Sequence, residues 1–205
     1  KPRLIVIHAT EMTSADSALQ VLKSQNSAGK VSAHYLIAES GTIFQLVDDK
    51  QRAWHAGAGR WRGLNDLNSF SIGIELDNDG IEAFQPQQIQ ALIKLLNDLC
   101  LRWDIPRTSI IGHSDLAPTR KVDPSALFPW QSLAEAGLGQ WARHAPVAPP
   151  ENFDAALALR AFGYDTRDLP AAVRAFHRHF RGMQSSELDD EDRKILYDLL
   201  QNANL

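Results

Sequence analysis

The sequence is poor in cysteine, in long apolar runs and in excess positive charge. Its single cysteine, Cys100, excludes an internal disulfide framework and is predicted to be buried in a helix. No stretch approaches the roughly 20 apolar residues that a membrane-spanning helix needs. The formal net charge is -4, which disfavours a generally cationic nucleic-acid-binding protein. We therefore expect no nucleic-acid partner and no transmembrane segment in this chain.

The start of the chain also lacks the charged and apolar regions of a signal peptide. Because Lys1 is not a methionine, the sequence is compatible with a mature form from which a signal segment or lipid anchor has been removed. The oligomeric state cannot be read from these residues.

The sequence does contain enough apolar residues, 44%, for one substantial core and a small helical companion. Residues 4–7 form a β-branched apolar run typical of a strand buried on both faces. Residues 34–38 and 42–46 flank a short glycine-containing loop and predict an antiparallel pair. Residues 71–76 alternate as a strand, and residues 89–103 keep helical spacing. We predict an α/β fold with a mixed central β-sheet flanked by helices.

A domain boundary is predicted near the last quarter of the chain. Residues 145–150 contain three prolines and show no periodicity, which is typical of a stiff linker. This divides the chain into a larger N-terminal domain at 1–144, the linker at 145–150 and a small three-helix domain at 151–205. A helical unit of this size is marginally stable alone, so we expect it to dock on its neighbour.

Several residues suited to metal-assisted hydrolysis lie at predicted element ends: His8, Glu75, Lys121, His113 and Asp123. They form no compact metal motif, so local spacing alone leaves other interpretations open. His8 and His113 could be strand-end histidines bonded to backbone, and Asp123 could turn a loop. Glu75 is harder to explain, because a carboxylate within a β-branched strand is costly to bury unpaired. Either a function or an edge-strand position must account for it.

Four ordered blocks carry a family resemblance. They are VSAHYLI at 31–37, AWHAG at 53–57, SIGIEL at 71–76, and GHSDLAP at 112–118 continuing to KVDP at 121–124. Over roughly residues 3–130 the chain resembles a zinc amidase family that includes bacterial muropeptide amidases, a phage lysozyme and peptidoglycan recognition proteins. The resemblance implies a Zn²⁺ cofactor and peptidoglycan or muropeptides as the partner. The implied reaction is hydrolysis of the amide bond between N-acetylmuramic acid and L-alanine.

The resemblance also implies roles for the matching residues. His8 and His113 fall on the two histidine ligands of zinc, and Asp123 falls on the third ligand. Other branches typically carry cysteine there, so aspartate resembles the muropeptide-amidase branch. Glu75 matches the catalytic glutamate, which would transfer protons at a zinc-activated water. Lys121 matches the catalytic lysine, which would stabilise the negative oxygen at the cleaved carbonyl.

Three other residues are predicted to contact the substrate. The ammonium of Lys30 can neutralise a stem-peptide carboxylate, and Trp54 and Asn68 are expected to line the groove. His34 and His55 lie inside the family blocks but away from the ligand positions. We expect a structural or supporting role for both histidines.

The C-terminal segment resembles the three-helix peptidoglycan-binding domain, through LRAFGY at 159–164 and AVRAFHRHF at 172–180. It departs from that pattern at His177, where glutamine is frequent, and at 185–189, where SSELD replaces a glycine-aspartate-threonine pattern. A helical cap that only stabilises the neighbouring domain is the alternative. His177 and His179 are two positions apart in a helix and face apart, so we expect surface residues and not metal ligands.

Two function classes compete. One is the zinc amidase, and the other is a noncatalytic peptidoglycan recognition module. Noncatalytic members characteristically lose a zinc ligand, whereas here all three ligands, Glu75 and Lys121 are present, which favours the enzyme. A cytoplasmic recycling amidase for anhydro-muropeptides would leave the C-terminal segment unexplained. We therefore expect an envelope amidase in the periplasm, with outer-membrane association as one option.

Overall fold

The computed structural model describes residues 1–23, 31–143 and 146–202. Its centre is a five-stranded sheet of β1 (Leu4–Ala9), β2 (Tyr35–Ile37), β3 (Ile43–Gln45), β4 (Ser71–Leu76) and β5 (Ile110–Gly112). The strand order is β3-β2-β4-β1-β5. Strand β1 runs parallel to β4 and β5, and β2 runs parallel to β4 but antiparallel to β3. The prediction of a mixed sheet is confirmed.

Helices cover both faces of this sheet. They are α1 (Ala15–Lys23), α2 (Leu67–Phe70), α3 (Pro86–Trp103), α4 (His113–Leu116), α5 (Trp130–Glu135), α6 (Ala155–Phe162), α7 (Leu169–Phe180) and α8 (Asp190–Asn202). Helix α3 begins at a proline, whose missing N–H costs nothing in the first turn. Helices α6 and α7 begin after Asp154 and Asp168, whose carboxylates accept the N–H groups of Leu157 and Ala171. Among the described residues, no helix has the length and apolarity to cross a bilayer.

The alternation of side chains in β1 assigns its two faces to two hydrophobic clusters. Ile5 and Ile7 pack with apolar residues of α3 and α5. Leu4 and Val6 point the other way and belong to a second cluster, which includes apolar residues of α6, α7 and α8, here called the C-terminal helices. The strand is therefore buried on both faces, as its apolar run predicts. The C-terminal helices share a continuous core with the sheet, while a domain boundary at 145–150 stays a prediction.

Two histidines of α7 correct the sequence-based expectation. His177 and His179 were expected on the surface, but both are buried. His177 Nε2 lies 2.8 Å from a carboxylate oxygen of Asp192, and His179 Nδ1 lies 2.7 Å from one of Asp115. These buried carboxylates offset the cost of removing each imidazole from water. The prediction was wrong because the partners are distant in sequence.

Candidate active site

The carboxyl ends of three parallel strands bring together the residues that sequence analysis singled out. His8 lies near the end of β1, beside Glu75 of β4, its partner in the sheet register. His113 follows β5 directly and begins α4. Strand β4 lies between β2 and β1, so an edge-strand position does not explain Glu75. Carboxyl ends of parallel strands are where α/β folds commonly place their ligand sites.

Three buried side chains converge on one point. The Nδ1 atoms of His8 and His113 are 3.0 Å apart. Oδ2 of Asp123 lies 3.3 Å from the first of these atoms and 3.2 Å from the second. The described residues therefore contain a compact His-His-Asp group that could hold a metal ion.

The separations within this group fit a tetrahedral zinc site. Zinc bonds to imidazole nitrogen and carboxylate oxygen of about 2.0–2.2 Å, set at tetrahedral angles, place the ligand atoms about 3.3–3.5 Å apart. The observed separations of 3.0–3.3 Å lie close to that range. Two histidines and one carboxylate also leave the fourth position open, as catalytic zinc sites require.

The outer nitrogens of both histidines are engaged by other groups. His113 Nε2 donates to the carbonyl oxygen of Ala56 at 3.0 Å. His8 Nε2 donates to His55 Nδ1 at 3.0 Å, and His55 Nε2 donates to the hydroxyl of Ser71 at 3.2 Å. This tautomer assignment leaves each Nδ1 lone pair free to face the shared point. A ligand histidine oriented through its other nitrogen is the usual arrangement in metal sites.

The ionisation states also suit metal binding. Burial and the neighbouring His113 lower the pKa of His8 to about 4, so its imidazole is neutral at pH 7. Burial opposes ionisation of Asp123, yet the neighbouring His113 and His8 hold its pKa below the ordinary range. Metal ligands must be neutral imidazoles and ionised carboxylates, and these pKa directions favour those forms for His8 and Asp123.

Glu75 and Lys121 share a cavity of about 160 Å³ with these three residues. Burial and the negative charge of Asp123 raise the pKa of Glu75 to about 8, and the positive charge of Lys121 opposes this rise. A carboxyl group whose pKa lies near neutrality can both accept and donate a proton at pH 7. The site thus combines a candidate metal centre with a candidate general base.

A model of the N-acetylmuramoyl-L-alanine amidase family matches residues 1–126. The chain belongs to this amidase family. It is 37% identical to the amidase AmiD of Escherichia coli, over 97% of this chain and 82% of that protein. It is 40% identical to AmpD of Haemophilus influenzae, a 1,6-anhydro-N-acetylmuramyl-L-alanine amidase, over 50% of this chain and 56% of that protein.

Two solved structures have a similar fold. One is E. coli AmiD in complex with the substrate anhydro-N-acetylmuramic acid-L-Ala-D-gamma-Glu-L-Lys. Its TM-score is 0.84 at 37% identity, covering 98% of this chain and 89% of that one. The other is AmpDh3 of Pseudomonas aeruginosa, with a TM-score of 0.87 at 32% identity, covering 100% of this chain and 93% of that one. Both matches include the C-terminal helices, because they span nearly the whole chain.

The residues predicted to contact the substrate of such an amidase lie in different surroundings. Trp54 is 41% exposed, and the Arg52 guanidinium lies 4.3 Å from the centre of its ring. The side chain of Asn68 is buried, and its Oδ1 accepts the N–H groups of His55 and Ala56 at 3.0 and 2.8 Å. Asn68 therefore holds the loop that carries His55, a role different from the predicted groove contact. Lys30 lies outside the described residues.

His34 and His55 take the supporting positions expected of them in this amidase fold. His34 Nδ1 accepts the N–H of Gly73 at 3.0 Å, and its Nε2 donates to the carbonyl oxygen of Gln51 at 3.1 Å. The His55 ring lies directly over Gly73, where any Cβ would overlap it. A glycine on the polar face of β4 is the only sequence signal of this close approach.

Proposed function

We propose that this chain is a zinc-dependent N-acetylmuramoyl-L-alanine amidase. It hydrolyses the amide bond between N-acetylmuramic acid and L-alanine in peptidoglycan or muropeptides. The observation that carries the proposal is the convergence of His8, His113 and Asp123 beside Glu75 in a single cavity. Membership of the amidase family supplies the reaction class.

In this proposal His8, His113 and Asp123 hold Zn²⁺. When bound, the ion supplies Lewis acidity, which polarises the scissile carbonyl and lowers the pKa of a water toward about 7. The residues that share the cavity with these ligands then perform the proton transfers and stabilise charge.

Glu75 acts as the general base and then as the general acid. Its carboxylate takes a proton from the attacking water while the water oxygen bonds to the lactyl carbonyl carbon. The same proton is delivered to the nitrogen of L-alanine as the C–N bond breaks, which releases a neutral amine. Burial and the neighbouring Asp123 raise the pKa of Glu75 above its ordinary value, which makes its carboxylate a stronger base for the first transfer.

Lys121 stabilises the negative charge that develops on the carbonyl oxygen. Its side chain lines the cavity, and its positive charge already acts on Glu75. An ammonium group placed before the reaction begins costs no reorganisation when the charge forms.

The proposed substrate is a muramyl peptide, by extension from the AmiD complex with an anhydro-muramyl tripeptide. The exposed ring of Trp54 offers a surface for the sugar, and Lys30 offers a cation for a stem-peptide carboxylate. The proposed location is the cell envelope, in the periplasm. Residues 151–205, which include the C-terminal helices, are proposed to form a peptidoglycan-binding-like unit. Outer-membrane association is part of the same proposal.

The decisive experiment is mass spectrometry of the products from purified sacculi and from a defined muropeptide, with and without a chelator. Chelator-sensitive release of free stem peptide is expected. His113→Ala is the matched control, because it removes a ligand and should abolish release in both conditions. Substrate that is bound but stays intact would instead identify a noncatalytic recognition module.

A further inference from the structure

Two residues after His113, a fully buried carboxylate is held by the C-terminal helices. Oδ2 of Asp115 accepts the N–H of Gly112 and the Nδ1–H of His179, both at 2.7 Å. Its Oδ1 accepts the hydroxyl of Tyr164 at 2.6 Å. Only the Gly112 bond is local, since Tyr164 follows α6 and His179 belongs to α7.

The two distant donors are themselves fixed by aromatic packing. The His179 ring stacks on Trp130 with a centroid separation of 3.8 Å and an interplanar angle of 13°. The Tyr164 ring meets Trp61 edge-on at 5.0 Å. Both donors are buried, so water cannot replace their hydrogen bonds to Asp115. The carboxylate position is therefore set by the C-terminal helices.

Asp115 is in turn connected to two of the proposed metal ligands. It lies in α4, a single turn that begins at His113, and its bond to Gly112 caps that turn. Ser114, which lies between His113 and Asp115, donates its N–H to the carbonyl oxygen of Asp123 at 2.8 Å. A shift of α4 would therefore move both His113 and Asp123. Metal sites tolerate displacements of only about 0.2 Å in their ligand distances.

Helix α7 also supplies positive charge to the region around Asp115 and Asp123. The guanidinium of Arg178, next to His179 in α7, is buried and interacts electrostatically with Asp115 and Asp123. A buried cation offsets part of the cost of placing two carboxylates in the interior. Helix α7 therefore contributes both a positioning hydrogen bond and a positive charge to the segment that carries His113 and Asp123.

We propose that the C-terminal helices are part of the metal centre: Tyr164 and His179 are positioning residues that, through Asp115, hold α4 where His113 and Asp123 bind zinc. This inference rests on the proposed zinc site. It gives the C-terminal helices a role that a separate binding module or a general stabilising cap would not have.

The test compares zinc affinity in full-length variants, measured by competition with a chromophoric chelator. Tyr164→Phe removes one hydroxyl and keeps the ring packing. His179→Leu removes the other donor, and His179→Asn restores an N–H close to the Nδ1 position. His177→Leu is the matched control, because it removes a buried imidazole of the same helix whose carboxylate partner, Asp192, belongs to α8 and not to α4.

We expect zinc affinity to fall about 10- to 100-fold in Tyr164→Phe and His179→Leu, the range typical for partners behind metal ligands. His179→Asn should recover part of the loss. His177→Leu should lower the melting temperature by a similar amount yet leave zinc affinity within about threefold of wild type, below the loss expected for such partners.

Unchanged zinc affinity in a folded Tyr164→Phe protein would overturn the inference and leave the proposed function standing. Equal loss of affinity in His177→Leu would also overturn it, because general destabilisation would then explain the effect. A wild-type chain that binds no zinc would overturn the proposed function and this inference with it. Tyr164→Phe keeps the test decisive if His179→Leu does not fold.

Discussion

Replacing Glu75 with glutamine tests the proposed chemistry most directly. The amide has nearly the same shape as the carboxyl group but can no longer exchange a proton. Glu75 does not belong to the ligand group of His8, His113 and Asp123, so zinc content should stay at the wild-type level. The loss should therefore be confined to turnover.

The size of the loss follows from the two proton transfers assigned to Glu75. General acid–base catalysis contributes about 10²- to 10⁴-fold, which equals about 2.7–5.4 kcal/mol at 1.36 kcal/mol per tenfold change. One residue performs both transfers here, so we expect a kcat reduction toward the upper end. KM should change little, because the cavity keeps its volume and its other charges.

The assay is release of stem peptide from a defined muropeptide, followed by liquid chromatography and mass spectrometry, with zinc content measured on the same samples. His113→Ala is the comparison and should lose both zinc and turnover. A Glu75→Gln enzyme with zinc bound and full activity would refute the proton-transfer role. Loss of zinc together with activity would instead place Glu75 among the groups that hold the metal.

Three other predictions follow from the same geometry. Lys121→Met should keep zinc and lower kcat by about 10²- to 10³-fold, the usual loss for one oxyanion donor; an unchanged kcat would contradict its role. In the metal-free protein the pKa of Glu75 is raised to about 8, so the folded state keeps a proton that the unfolded state has already lost. The free energy of unfolding therefore falls as the pH rises through that value. Between pH 6.5 and 8.5, where His8 is already neutral, the melting temperature should fall in wild type and less in Glu75→Gln; equal falls would contradict this. Removing residues 151–205 should expose the sheet face that carries Leu4 and Val6, giving an aggregating or partly unfolded chain by circular dichroism and light scattering; a well-folded, fully active truncation would show that the helices are dispensable.

Much of the fold could be predicted because its signals are local, whereas the ligand set was predicted from the family resemblance. The apolar run at 4–7 is buried on both faces of the sheet, as its composition predicts, and α3 follows its helical spacing. Glu75 stands out because a carboxylate conflicts with its β-branched neighbours, and the structure explains it by a cavity and not by an edge.

The partnerships of the C-terminal helices could not be predicted from local pattern. His179 is separated from Asp115 by 64 positions, and periodicity carries no information about contacts at that distance. The same applies to the bond between His8 and His55. The sequence predicted a three-helix domain at 151–205, but not that the histidines of α7 would be buried.

Gly73 shows how a residue without functional groups can constrain a functional site. Its missing side chain lets the His55 ring lie against β4, and that ring receives the N–H that fixes the orientation of His8. Even alanine at position 73 would push the imidazole away and release His8 from its orientation. In a saturation mutagenesis experiment this glycine would tolerate as few replacements as a metal ligand, although it performs no chemistry of its own.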